Sequence, residues 1–348
     1  MSFRRRRCRR YCGAGFYAGF YIELERLVPS PSSPTPRLRI GTRGSPLALA
    51  QAEETCARLR LIQPALAEPG AIEVLVIKTS GDRILDRPLA EVGGKGLFTK
   101  EIDEALLAGR VDLAVHSAKD LPTWLPEPLM LAATLSREDP RDALIARTAR
   151  TLAELPEGCI VGTSSLRRQA QLLHHRPDVC VVPLRGNVAS RLRRVADGSL
   201  GATFLAMAGL NRLSARGGLA DCGVPRVPIA TAVMLPAVGQ AAIAITCRKD
   251  DEAVRMLLAA VDDAPTHLCV SAERAMLERL DGSCRTPIAG LAGIDQGDGS
   301  LSLAGLIAKP DGSAMIAGRR VGAAGDGADL GRDLAAELLA EAGPGFLA

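Results

Sequence analysis

Arginine recurs in this 348-residue chain at turns where a strand gives way to a helix. Arg43 stands just before Ser45, Arg167 and Arg168 follow Gly162-Thr163-Ser164-Ser165, and Arg185 precedes Asn187. A helix N-terminus already carries free N–H donors and partial positive charge, so each cation there is unfavourable by about a few tenths of a kcal/mol. Solvent or a neighbouring Glu or Asp accounts for one such arginine; the recurrence calls for an anionic ligand. Such turns lie at the carboxyl ends of strands, where open α/β sheets bind ligands and helix N-termini take phosphates or carboxylates. VDLAVHSAKDLP (111–122) places Lys119 and Asp120 directly after an apolar strand, which brings a carboxylate to the same cleft. Side chains adjacent on a strand end point to opposite sides, so these two need not pair with each other.

Cys284 lies in Asp281-Gly282-Ser283-Cys284-Arg285-Thr286-Pro287, a turn after a helix, where a thiol is accessible and beside a cation that favours thiolate. Cys56, in an amphipathic helix, and Cys247, in an apolar strand, read as small core residues. His116, His174, His175 and His267 have no spacing that would pair them with a nucleophilic cysteine.

Composition narrows the function classes. The nine cysteines are odd in number and include no CxxC pair, which argues against a disulfide framework or a zinc ribbon and suits a reducing compartment. No metal site is expected. Residues 1 to 36 carry seven arginines against Glu23 and Glu25, a net +5 where the whole chain has +4, so the other 312 residues net −1. Six of the aromatics also fall in that leader, leaving Phe98, Trp124, Phe204 and Phe346 for the rest. A nucleic-acid platform of basic charge and stacking rings is therefore excluded from the body of the chain. No run of 18 apolar residues is present to span a membrane. The leader has the order of a signal peptide, but glycines and aromatics interrupt its apolar stretch, acidic residues follow, and no small-x-small site closes it. It reads as a disordered extension, or an upstream start not normally translated, ending in the linker PSPSSPTP.

The elements that must hold these residues follow an α/β pattern from Leu38 onward. LRIGTR is strand and turn, with Ser45 as N-cap and Pro46 at N1 of a helix to about Arg60. IEVLVIKTS, a helix near 99–107 and VDLAVHS complete one open sheet. A second set comprises ALIAR, CIVGTSS, helix 166–174, VCVVPL, helix 188–196 and ATFLAMAG. PIATAVMLPAVGQAAIAITCR is expected to return to the first domain as a strand. Helices near 252–260 and 266–280, apolar strands turning at Pro310-Asp311-Gly312, and a helix near 328–341 close the chain. The expected domains are 37–135 with 231–252, 136–230, and 253–348.

GTRGSPLALAQ (41–51), GGKGLFTKEID (93–103), DLAVHSAKDLP (112–122), GTSSLRRQAQL (162–172), LRGNVASRL (184–192), LPAVGQ (235–240) and ERAMLERLDGSCRTPIAG (273–290) together resemble the hydroxymethylbilane synthase, or porphobilinogen deaminase, family. The resemblance runs from Leu38 to the C-terminus. It implies three α/β domains, two like type II periplasmic binding proteins and a small third with a three-stranded sheet. The third domain carries a cysteine, matching Cys284, in thioether linkage to a dipyrromethane cofactor. The implied reaction joins four porphobilinogen molecules head to tail with loss of ammonia, then hydrolyses the chain to release hydroxymethylbilane. The implied protein is a cytoplasmic monomer.

By motif match, Lys119, Thr163, Ser164, Ser165, Arg167, Arg168 and Arg185 would bind the cofactor. Arg43, Ser45, Lys95, Arg185, Arg191, Arg212 and Gln240 would bind substrate, and Asp120 with Lys119 would be catalytic. The chemistry is coherent, since each pyrrole brings an acetate and a propionate, and arginine forks suit carboxylates at roughly 1.5–3 kcal/mol per charge-assisted bond. A fixed carboxylate would stabilise the positive pyrrole nitrogen that ammonia loss creates. The segment 82–96, with Gly93, Gly94 and Gly96, resembles a mobile lid. Ala241 and Thr246 stand where the family pattern has Gly and Glu, and 213–226 is longer than usual. A non-catalytic anion sensor on the same scaffold would explain the arginines but not Cys284 or Asp120. An interaction protein using the basic leader is opposed by the near-neutral remainder.

Overall fold

A computed structural model describes residues 37–83, 96–219, 222–280 and 286–346. The leader, Lys95 with most of the glycine-rich segment, and the Cys284 turn lie outside the described residues.

The first sheet is built from β1 (Leu38–Thr42), β2 (Ile72–Val76), β3 (Leu113–Ser117), β4 (Leu129–Thr134) and β10 (Ile243–Arg248), in the order β2-β1-β3-β10-β4. β10 arrives late in the chain and runs antiparallel to both β3 and β4, so the expected return of the apolar stretch to the first sheet is what the chain does. β3 and β10 are buried along nearly their whole length, as strands covered by helices on both faces must be. Leu38, Ile40, Cys56, Leu59, Leu113, Val115, Ile243, Ile245 and Cys247 share one core cluster, which places both cysteines as the sequence suggests.

The second sheet repeats the plan with β5 (Asp142–Ala146), β6 (Ile160–Gly162), β7 (Cys180–Val182), β8 (Ala202–Ala206) and β9 (Arg226–Pro228), ordered β7-β6-β8-β5-β9. Here the antiparallel intruder is β5, the first strand rather than the last. Two crossovers therefore join the sheets, residues 135–141 outward and 229–242 back. ATFLAMAG does not remain strand to its end: the chain turns into a helix at Met207.

The third sheet is a meander of β11 (Ile288–Ile294), β12 (Ser300–Ala308) and β13 (Met315–Ala323). Residues of Ala264–Arg279 and Gly327–Ala342, the two long helices near the C-terminus, share its core, among them Cys269, Met276, Leu334 and Leu338. The helices approach so closely at Gly331 that a Cβ there would collide with the backbone at Ala272.

One buried carboxylate ties this third layer to the crossovers. Glu273, fully buried, accepts from Arg137 Nη1 at 2.5 Å, Gly239 N at 2.7 Å and Ala292 N at 2.7 Å. Arg137 in turn donates to the Gln240 carbonyl at 2.9 Å. The return crossover passes tightly over the turn holding Lys119: at Gly239, φ +70°, a Cβ would stand 3.0 Å from the Ala118 carbonyl carbon. Ala241 is the one described non-glycine residue with positive φ, at 75°. It stands where the family pattern has glycine, and the left-handed conformation costs an L-residue roughly 1–2 kcal/mol. Thr246, in place of the pattern's Glu, is fully buried with its hydroxyl 3.2 Å from His116 Nε2.

Ala241→Gly is accordingly expected to raise global stability by about 1 kcal/mol, read as an upward shift of the thermal midpoint. An unchanged or lowered midpoint would show that the surrounding crossover, not the Cβ, sets this conformation.

Candidate active site

Three of the turns at the cleft open helices with a side-chain cap. The Ser45 side chain accepts from Ala48 N at 3.2 Å, with Pro46 in the first turn, opening α1 (Pro46–Ile62). Next in chain order is α2 (Lys100–Leu107), packed beneath the first sheet. Ser165 caps α3 (Leu166–His175), and Asn187 caps α4 (Val188–Ala196). The cap N–H groups of the α1, α3 and α4 turns are thus partly used internally, which leaves side-chain cations as the principal anion-binding groups.

A cleft of about 250 Å³ is lined by Arg43, Ser45, Lys119, Arg168, Asn187 and Arg191 among others. A recess of about 60 Å³ shares Arg43, Ser45 and Leu47 with it and adds Asp120, His116, Ser117 and Phe98. Lys119 and Asp120 sit on one turn of 3-10 helix, Ala118–Asp120, rather than on the strand end itself. They still diverge: Lys119 Nζ lies 3.5 Å from Gln240 Oε1, while Asp120 Oδ2 lies 3.8 Å from Arg43 Nη1. Arg43 is held from two further sides, by Asp82 at 2.5 Å and by the Phe98 ring, whose centroid is 4.1 Å from its guanidinium carbon.

Crowded cations raise the cost of charge here. Burial pulls the Lys119 ammonium down to about 8; Arg168 and Arg167 add to this, while Asp120 and Asp142 oppose it. Burial, Arg168 and Arg185 bring Arg191 down to about 10. Burial and then Arg43 lower Arg185, which places Arg185 within electrostatic reach of both Arg43 and Arg191. Burial, with Arg43, pushes His116 down to about 4, so at neutral pH it is an uncharged wall residue. A cleft lined by Arg43, Lys119, Arg168 and Arg191 gains from any ligand that brings carboxylates.

The other residues picked out by sequence are spent differently. Arg167 is not among the residues lining the cleft and donates from Nη1 to Asp142 at 2.7 Å and to the Leu235 carbonyl at 2.8 Å. Arg212 pairs with Glu54 at 2.9 Å and donates to the Ala241 carbonyl at 3.1 Å. Gln240 is fully buried within the return crossover. Ser164 Oγ bridges the Leu184 N–H and carbonyl, and Thr163 Oγ1 accepts from Ser165 N. Lys95 and Cys284 lie outside the described residues. Asp142 and Asp82 are the groups that motif reading does not find. For Asp142 a signal exists, an acid opening the otherwise apolar strand DALIA.

Comparison with known proteins agrees with this arrangement. Residues 38–256 match the family model described as porphobilinogen deaminase, dipyromethane cofactor binding domain, and 267–340 match porphobilinogen deaminase, C-terminal domain. The chain is 52% identical over 311 residues to the chloroplastic porphobilinogen deaminase of Oryza sativa subsp. japonica, covering 89% of this chain and 85% of that one. It is 53% identical over 319 residues to the porphobilinogen deaminase of Paracoccus denitrificans, covering 92% and 98%. Among solved structures, the periplasmic aliphatic sulphonate binding protein SsuA of Escherichia coli aligns at TM-score 0.38 and 15% identity over 69% of each chain.

Because Lys119 loses its proton near 8, the cleft surrenders a positive charge as pH rises through that value. Affinity for a carboxylate-bearing ligand is expected to fall between about pH 7 and 9, and Lys119→Arg to remove that decline. A flat binding profile for the parent protein over this range would contradict the assignment.

Proposed function

This chain belongs to the porphobilinogen deaminase family, and from that premise we propose how its residues divide the work. The reaction itself is a transfer: four porphobilinogen molecules are joined head to tail with release of ammonia, and hydrolysis then frees hydroxymethylbilane for tetrapyrrole synthesis. The alternative of a non-catalytic sensor is not favoured. When bound, the dipyrromethane cofactor supplies the pyrrole end on which the chain is extended.

Cys284 is the proposed attachment point. Arg168, Arg185 and Lys119 hold the carboxylates of the two attached rings, and Arg43, Arg191 and Ser45 receive those of the incoming substrate. The cleft's lining by Arg43, Lys119, Arg168 and Arg191 supports this, because a dipyrromethane carrying acetates and propionates needs several cations at once. Thr163, Ser164 and Ser165 act through the backbone of their turn, which they brace. Arg212 and Gln240 hold the crossover in place, and Lys95 is a further cation for substrate. Arg167 serves as a counter-charge inside the wall.

Asp120 performs the central step. Its carboxylate stabilises positive charge on the pyrrole nitrogen of the porphobilinogen as the bond to ammonia breaks, and it takes the proton lost from the α-carbon of the terminal pyrrole that attacks the methylene so formed. The observation that carries this reading is the position of Asp120 in a recess that shares Arg43, Ser45 and Leu47 with the cationic cleft, 3.8 Å from Arg43. In this proposal each sheet is the core of one domain, 37–135 with 231–252, 136–230 and 253–348, and the chain works as one monomer in the cytoplasm. No helix among the described residues is long and apolar enough to cross a membrane.

Asp120→Ala is expected to lower turnover by on the order of a hundredfold or more while the thermal midpoint stays near that of the parent. Turnover close to the parent's would remove Asp120 from the mechanism. Intact-mass measurement is expected to find an adduct of two pyrrole rings on the parent protein and none on Cys284→Ser; an adduct persisting on the serine variant would place the tether elsewhere.

A further inference from the structure

Asp142, the first residue of β5, has no exposed surface, yet its carboxylate accepts four side-chain hydrogen bonds. Its Oδ2 accepts from Arg167 Nη1 at 2.7 Å; its Oδ1 accepts from Arg168 Nη2 at 2.7 Å, Arg168 Nε at 3.2 Å and Gln240 Nε2 at 3.0 Å. Gln240 also donates to the Pro140 carbonyl at 2.8 Å, and its Oε1 faces Lys119 Nζ at 3.5 Å. One carboxylate thus connects, through Gln240, the two crossovers with Arg167 and with Arg168 of the cleft lining.

The two arginines use it differently. Arg167 also donates from Nη1 to the Leu235 carbonyl and is not among the residues lining the cleft. Arg168 lines the cleft although it is only 6% exposed. Two of its N–H donors are taken by Asp142 and one by the Phe204 carbonyl, at 2.9 Å. A guanidinium has five donors, which leaves one on each terminal nitrogen to meet a ligand carboxylate. A guanidinium this dry keeps its place only beside a counter-charge.

We propose that Asp142 is a positioning residue for cofactor binding: it fixes Arg168 toward the cleft and, through the Gln240 amide, sets the place of the Lys119 ammonium. The inference rests on the family assignment. It goes beyond that assignment in making the inter-domain crossover and the anion cradle depend on the same carboxylate. The charged groups facing Lys119 are Asp120, Arg168, Asp142 and Arg167; burial adds to the arginines' effect, and the two aspartates oppose it. Removing Asp142's charge leaves both guanidiniums and so drives the Lys119 proton off more readily.

The test compares the parent holoenzyme with Asp142→Asn, which keeps shape and an acceptor oxygen but no charge, and with Gln240→Leu, which removes the amide between Asp142 and Lys119, with its bond to the Pro140 carbonyl, but leaves the Asp142 charge on both arginines. Three quantities are measured: the fraction of purified protein bearing the two-pyrrole adduct by intact mass, the thermal midpoint, and kcat and KM against pH. Asp142→Asn is expected to lose most of its adduct, and its residual holoenzyme to show a raised KM with the alkaline limb moved down by about half a pH unit or more. Gln240→Leu is expected to keep its adduct and reproduce only the shift of the limb. A merely structural Asp142 would lower the midpoint and leave the limb in place. Adduct content and limb both equal to the parent's in a folded Asp142→Asn overturn the proposal; if that variant does not fold, an unmoved limb in Gln240→Leu overturns it. A parent protein lacking the adduct would instead overturn the family-based reading, which separates the two failures.

Discussion

Like charge held at short range inside a wall is the constraint on which this molecule is organised. A cleft that receives several carboxylates must be rich in guanidinium, yet those groups repel one another and resist desolvation before any ligand arrives. The chain meets this with aspartates placed behind or between the cations. Asp142 takes Arg167 and Arg168, and Asp82 takes Arg43 from the side away from Asp120. Burial would push the Asp142 carboxyl up, but the two arginines overcome it and hold that group well below the ordinary carboxylate range. What remains unbalanced, in Lys119 and Arg191 above all, is the part of the field that a ligand completes.

The same requirement explains the crossovers. Two sheets of like topology are joined by two crossovers, each leading into a strand that runs antiparallel in the next sheet, and the return crossover is buried from Val238 to Ala242. Such a joint must satisfy its polar groups by side chains, and Glu273, Arg137, Gln240 and Asp142 do so in sequence. Because Glu273 stands on the helix that leads toward the Cys284 turn, the layer bearing the proposed tether is fixed to the joint between the other two.

Much of this was legible in the residues. Ser45 and Pro46 announce α1 through capping chemistry, and the apolar runs around Ile40, Val115 and Ile245 announce buried strands. The cationic turns and the Lys119-Asp120 pair were readable because charge placed against the helix dipole needs a reason. Local pattern could not reveal which partners those cations take. Arg167 and Arg168 are adjacent on one helix, and only the tertiary path of β5 shows that one closes on the crossover while the other keeps donors for the cleft. Leu129–Thr134 and Met207–Ser214 are likewise short apolar runs whose period does not separate strand from helix, so packing decides them.

The most direct test of the central claim is a crystal structure of the purified holoenzyme. The account predicts density for two linked pyrrole rings running from the Cys284 sulfur into the cleft, their carboxylates on Arg168, Arg191 or Lys119 and their ring nitrogens toward Asp120. Density leading away from those cations, or a Cys284 sulfur too distant for two rings to reach Asp120, would contradict it.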